Sequence, residues 1–126
     1  MRRPTPKKAI HPLQWVCDPL ADEPSYFDKP MFGCRACYVH GKLVMVLASG
    51  EEPWNGVLVP TDKSQHASLC GHFPGLAAHP VLGKWLYLSC ANDQFEERSR
   101  AVVRAILDRD PRIGVEPGKK RRARSR

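Results

Sequence analysis

The sequence predicts an α+β domain in which a small antiparallel sheet of about four strands packs with a short and a long helix. Short, β-favouring apolar segments follow one another from Met31 to Val59, and His40-Gly41 stands between two of them. Between Phe95 and Leu107, apolar residues recur at three- and four-residue steps, the signature of a helix with one buried face. A chain of 126 residues holds one ordinary domain, which excludes a two-domain enzyme. With 42% hydrophobic and 26% charged residues, the composition is globular rather than disordered.

The elements follow in order. Pro4, Pro6, Pro12, Pro19, Pro24 and Pro30 remove backbone donors too often for a long helix, so the first thirty residues read as an extended lead-in. Ordered chain is expected from about Ile10, because Leu13, Trp15, Val16, Leu20, Tyr26 and Phe27 can lie against a core. Met31 to Val39 and Lys42 to Ala48 read as strands. His40-Gly41 between them is the two-residue connection of a hairpin with a primed turn, since Gly takes positive φ freely and the residue before it must tolerate it. In the second strand both alternating sets are apolar, Leu43, Met45 and Leu47 against Val44, Val46 and Ala48, which predicts a central strand covered on both faces. Pro53-Trp54-Asn55-Gly56 shapes a turn into a third strand near Gly56 to Val59. After Pro60, Thr61 or Asp62 caps a short helix to Cys70, with Gln65 at capping-box separation from Asp62 and Gly71 at the stop. A loop from Phe73 to Gly83 leads to an alternating strand, Lys84 to Cys90. The long helix is expected from about Asp93 to Asp108, ending before Pro111.

Charge is segregated along the chain. Arg2, Arg3, Lys7 and Lys8 at one end and Lys119, Lys120, Arg121, Arg122, Arg124 and Arg126 at the other supply half of the 20 basic groups, and neither segment holds an acid. Residues 9–118 carry ten basic and 13 acidic side chains, a net charge of −3. The expected organisation is therefore a disordered basic arm over residues 1–8, a mildly acidic domain over 9–117 and a disordered basic tail over 118–126. The tails are the candidate nucleic-acid contacts, because clustered cations displace counterions from phosphates whatever the base sequence.

The five cysteines, Cys17, Cys34, Cys37, Cys70 and Cys90, are an odd number without a framework spacing. This predicts reduced thiols and a cytoplasmic location. The longest aliphatic run, Leu43 to Ala48, is far short of the roughly 20 residues that a spanning helix needs.

Met31-Phe32-Gly33 leading into a strand, the Gly41 turn and the apolar Lys42-Leu43-Val44-Met45-Val46-Leu47-Ala48 together resemble the TfoX amino-terminal domain family and, more distantly, the YjbR family. The likeness extends loosely over about residues 30 to 107 and is specific over Met31 to Ala48. It implies a compact α+β domain with a binding or regulatory role, tied in that family to competence and to nucleic-acid or protein contacts, and it brings no catalytic residues. This chain departs from the family in its prolines, which replace much of the usual amphipathic helix before Met-Phe-Gly.

Other candidates carry their own readings. Cys34 and Cys37 have the spacing of a redox or zinc pair, but on a strand residues three apart project to opposite faces, so one thiol is expected in the core and the other across the sheet. A zinc variant would add Cys70, His66 and His72, with His66 four residues before Cys70 on one helical face. Trp54, Trp85 and Tyr87 form a stacking platform for unpaired bases if they reach one open face; with Lys84 as the one cation nearby, core or rim packing is favoured. Glu51 and Glu52 read as a solvated loop, and His11, His40 and His79 as turn or loop residues. No nucleophile elbow, phosphate-binding glycine loop or zinc-protease pair is present. The favoured expectation is a non-enzymatic binding or regulatory module without a cofactor, touching nucleic acid through its ends. The alternatives are a small thiol or zinc protein built on Cys34, Cys37 and Cys70, and a protein-interaction subunit docking through a sheet edge.

Overall fold

The computed structural model describes residues 11–31 and 33–116. The expectations of a free basic arm and a free basic tail lie outside these residues.

The proline-rich lead-in is more structured than its composition suggests. Pro12 and Pro19 are compatible with tight helical turns, and the chain makes two of them: α1 (Gln14–Cys17) and a 3-10 turn over Asp18–Asp22 with Pro19 at its start. Together they bury Leu13, Val16, Cys17 and Leu20. The chain then runs into a strand, β1 (Phe27–Met31), which includes Pro30 and occupies an edge of the sheet, where a missing donor is tolerated.

The segment read as one strand from Met31 is thus two strands joined by a tight turn. Met31 pairs with Cys34, and Gly33 takes φ +78 between β1 and β2 (Cys34–Val39). His40 (φ 52) and Gly41 (φ 78) are both left-handed and close the next hairpin into β3 (Lys42–Ser49), as the primed-turn reading requires. β4 (Asn55–Val59), a 3-10 turn over Lys63–Gln65, α2 (His66–His72), β5 (Ala77–Ala78), β6 (Leu86–Ser89) and α3 (Phe95–Leu107) follow among the described residues. The six strands, against the expected four, form one antiparallel sheet in the order β1-β2-β3-β4-β6-β5.

One layer of helix covers one face. Cys37 and Val39, Met45 and Leu47, Val57 and Val59, and Leu86 and Leu88 point from the sheet toward α1, α2 and α3 and the segment at Ile113. From α3 come Phe95, Val102, Val103 and Ile106, whereas Leu107 is exposed although the periodicity had included it. Each fully buried aliphatic side chain is worth about 1.5–3 kcal/mol, so this stripe holds α3 far more firmly than its surface pair Arg100–Glu96, a type worth about 0.3–0.5 kcal/mol.

β3 is central and buried on both faces, as its composition predicts, but the alternation breaks once. Tyr38 pairs with Leu43 and Cys37 with Met45, leaving Val44 unpaired as the extra residue of a bulge. Val44 therefore packs on the helix side beside Met45, and Leu43 joins Val46 and Ala48 on the other. Short helices also differ at their ends. Asp62 accepts from the Ser64 hydroxyl instead of capping α2, and α2 runs through Gly71 to His72.

Candidate functional site: an aromatic pocket on the helix-free face

The second sheet face carries Ala36, Tyr38, Leu43, Val46, Ala48, Leu58 and Tyr87, with Met31, Cys34, Trp54, Trp85 and Val115 packed around them, and among the described residues no helix belongs to this cluster. At the open end of the β1–β2 hairpin, away from its turn, Phe27 stacks flat on its cross-strand partner Tyr38, ring centroids 4.6 Å apart. Farther along the face the surface falls into a pocket of about 510 Å³. Val46 and Leu58, partners across β3 and β4, form its floor. Met31 and Cys34 close one side, Trp54 and the Leu82–Trp85 loop the other, and Ser49 and Gly50 lie at the rim.

A buried histidine builds the aromatic wall. His79 is 1% exposed, and its ring is used on both nitrogens. Nδ1 accepts from the backbone N–H groups of Val81 (3.1 Å) and Leu82 (2.9 Å), which leaves Nε2 protonated to donate to the Pro53 carbonyl (2.8 Å). Its own backbone N–H donates to the Trp85 carbonyl (2.9 Å), and its ring lies 4.4 Å from that of Trp54. The loop residue without an expected role is the post that ties the Trp54 and Trp85 loops together.

A second tie comes from Glu52, which is not merely solvated. Tyr87 Oη donates to Glu52 Oε1 (2.7 Å) and accepts from the Asn55 backbone N–H (2.7 Å), while the Ser89 hydroxyl donates to Glu52 Oε2. Burial, and then the bond to Glu52, push the Tyr87 hydroxyl up to about 12. Gly56 is needed directly behind this loop, because a Cβ there would stand 2.1 Å from the Leu88 carbonyl oxygen. Trp54, Trp85 and Tyr87 do share one face, then, but Tyr87 is buried and bonded edge-on beside His79, and only the two tryptophans line the pocket.

The cysteines and histidines of the zinc expectation are dispersed. Cys34 is half-buried in the pocket wall, its thiol pushed up by burial, and Cys37 lies on the opposite face, as strand geometry requires. Cys70 packs at the margin of the helix-side core. His66 Nε2 is bonded to the Lys84 carbonyl (2.8 Å), and His72 Nδ1 faces the Arg112 guanidinium (3.0 Å). Among the described residues no group of three His, Cys, Asp or Glu side chains is placed to hold a metal ion, and no helix is long and apolar enough to cross a membrane. The basic residues at the two ends lie outside the described segment.

A wider hollow of about 1100 Å³ runs along α3, lined by both signs of charge, among them Asp93, Glu97, Arg100 and Arg104. Mixed signs cancel instead of focusing a field on one ligand. The aromatic pocket is the better defined site. Its walls come from five separate segments, and the sequence signals for it were the alternation of Trp85 with Tyr87 and the two-sided apolar pattern of β3. No family model, curated protein or solved structure matches the chain.

Proposed function

We propose that the protein is a non-enzymatic binding or regulatory module whose helix-free face takes a small, largely apolar ligand carrying a flat ring. The observation that supports this reading is the placement of Trp54 and Trp85 around a pocket of about 510 Å³, within the roughly 300–1,000 Å³ typical of small-molecule sites. A flat ring gains stacking area against the indoles and buries apolar surface on Val46 and Leu58. Among the described residues the pocket lining holds no Lys or Arg, which favours an uncharged ligand over a phosphate-bearing one. The resemblance to the TfoX amino-terminal family points in the same direction, toward binding rather than catalysis.

The test is a titration of tryptophan fluorescence with uncharged bicyclic aromatics such as indole and naphthol, repeated on Trp85→Ala and read in parallel by amide shifts of β3 and β4. Saturable quenching that weakens at least tenfold in the variant supports the reading. Quenching that is linear, or indifferent to Trp85, overturns it.

A second reading rests on charge segregation. Ten of the 20 basic groups lie in the two terminal segments, and the body between them is net acidic. Arg2, Arg3, Lys7, Lys8, Lys119, Lys120, Arg121, Arg122, Arg124 and Arg126 are proposed to hold nucleic-acid phosphates independently of the pocket. Deleting residues 119–126 is expected to flatten the salt dependence of DNA or RNA retention by up to about 5 in log–log slope. An unchanged slope would rule out tail-driven binding. The odd cysteine count goes with a reducing, cytoplasmic setting for either role.

A further inference from the structure

Sequence spacing couples Cys37 to Cys34, but the fold couples it to Cys17. Cys17 ends α1 and Cys37 lies on the helix side of β2; both are fully buried, and their Sγ atoms are 3.0 Å apart. A disulfide bond is about 2.05 Å long, so the two sulfurs need to approach by only about 1 Å. Met45 Sδ stands 3.6 Å from Cys17 Sγ, and Tyr26 Oη 3.7 Å from Cys37 Sγ. Tyr26 donates to Asp28, whose other oxygen pairs with Arg35 at 2.8 Å. The pair therefore lies one side chain beneath the half-buried Tyr26 and Asp28 at the β1 edge of the sheet.

We propose that Cys17 and Cys37 are a redox pair, converted by peroxide into a disulfide that locks the N-terminal helical turns onto β2. The two sulfurs have different parts. The Cys17 S–H, donated to Cys37, holds the Cys37 thiol below its ordinary value against the effect of burial, while hydrogen bonding to Cys37 and burial raise that of Cys17. Cys37, which is also the sulfur facing the half-buried Tyr26 at the β1 edge, is the attacking one. Its thiolate displaces hydroxide from hydrogen peroxide, breaking the O–O bond to give a Cys37 sulfenic acid, and the hydroxide takes up a proton as water. The Cys17 sulfur then attacks the Cys37 sulfur, the S–O bond breaks, and the departing oxygen leaves as the second water with the Cys17 proton. Two thiols lose two electrons, and one peroxide becomes two waters. Local opening at the β1 edge admits the oxidant. The closed loop would span β1 and the Tyr26–Asp28 cluster, between residues 20 apart in sequence.

Cys34, Cys70 and Cys90 are half-buried and take no part in the pair. The full chain and its C34S/C70S/C90S variant are treated with hydrogen peroxide and analysed by non-reducing intact mass and peptide mapping. Loss of two hydrogens, a Cys17–Cys37 linked peptide and a rise in Tm of about 10 °C, reversed by dithiothreitol, are expected. In C17S the link is lost and Cys37 is instead trapped as a sulfenic-acid adduct by dimedone. Should the triple variant not fold, peptide mapping of the wild-type chain decides alone. Sulfinic acid at Cys37 without a crosslink, a link joining Cys34 to Cys37, or both thiols still alkylated after unfolding would each overturn the proposal.

Discussion

Tyr87 on β6 and Glu52 in the β3–β4 loop are joined by a 2.7 Å hydrogen bond that fixes the loop carrying Trp54 to the body of the sheet. The same hydroxyl accepts the Asn55 backbone N–H, so a single phenol secures both the loop and the first residue of β4. Tyr87→Phe leaves that N–H without its acceptor and the carboxylate with the Ser89 hydroxyl but not the phenol. Stability to urea is expected to fall by about 1–3 kcal/mol, with little change in the slope of the transition.

The same bond gives a pH signature. Tyr87 titrates near 12 in the folded chain against 10 for the free group, so the neutral phenol is favoured by folding. Its contribution is complete below pH 10 and is lost as pH rises from about 10 to about 12. Unfolding free energy measured across this interval should fall more steeply for the wild type than for Tyr87→Phe, and equal slopes would refute the assignment.

His79 is expected to matter more to the pocket than to the core volume it fills. His79→Ala strips partners from the Val81 and Leu82 amides and from the Pro53 carbonyl. A loss of about 2–4 kcal/mol in chemical denaturation is expected, together with faster hydrogen exchange at Val81 and Leu82 than at β3 amides.

Gly56→Ala tests the close approach of β4 to β6. The added methyl meets backbone rather than a movable side chain, so a loss of about 3 kcal/mol or more, or failure to fold, is expected in thermal denaturation.

Asp110 and Arg112 supply an acid-side signature. Arg112 donates to both carboxylate oxygens and also reaches Ser68, and its bonds hold the Asp110 carboxyl below the usual range. A depressed carboxylate stabilises the fold above its unfolded value near 4, and that contribution disappears as pH falls through the lower folded value. Asp110→Asn should therefore cost about 1 kcal/mol at neutral pH, and the difference from wild type should shrink below pH 4 in urea titrations.

Elements that bury a regular stripe were legible in the sequence. The His40-Gly41 hairpin, the doubly buried β3 and the face of α3 all follow from local chemistry repeated over several residues. The lead-in was misread because prolines forbid long helices but permit single turns, and what fixes those turns is the burial of Leu13, Val16 and Leu20 against distant strands. The bulge at Val44 has no local signal in a run where every residue is apolar. The pocket was half legible: the sequence grouped Trp54, Trp85 and Tyr87 but favoured core or rim packing for them, Tyr87 is indeed buried, and Met31, Cys34, Val46, Leu58 and Leu82 reach the pocket from separate segments. The role of His79 was hidden because its partners are backbone groups, and backbone groups leave no mark in the sequence.

The margins of the sheet have a consequence for assembly. β1 is interrupted by Pro30, and β5 has only two residues. Among the described residues neither rim offers an incoming extended chain a long, continuous ladder of free amides and carbonyls, which disfavours growth into fibrils by strand addition at both ends.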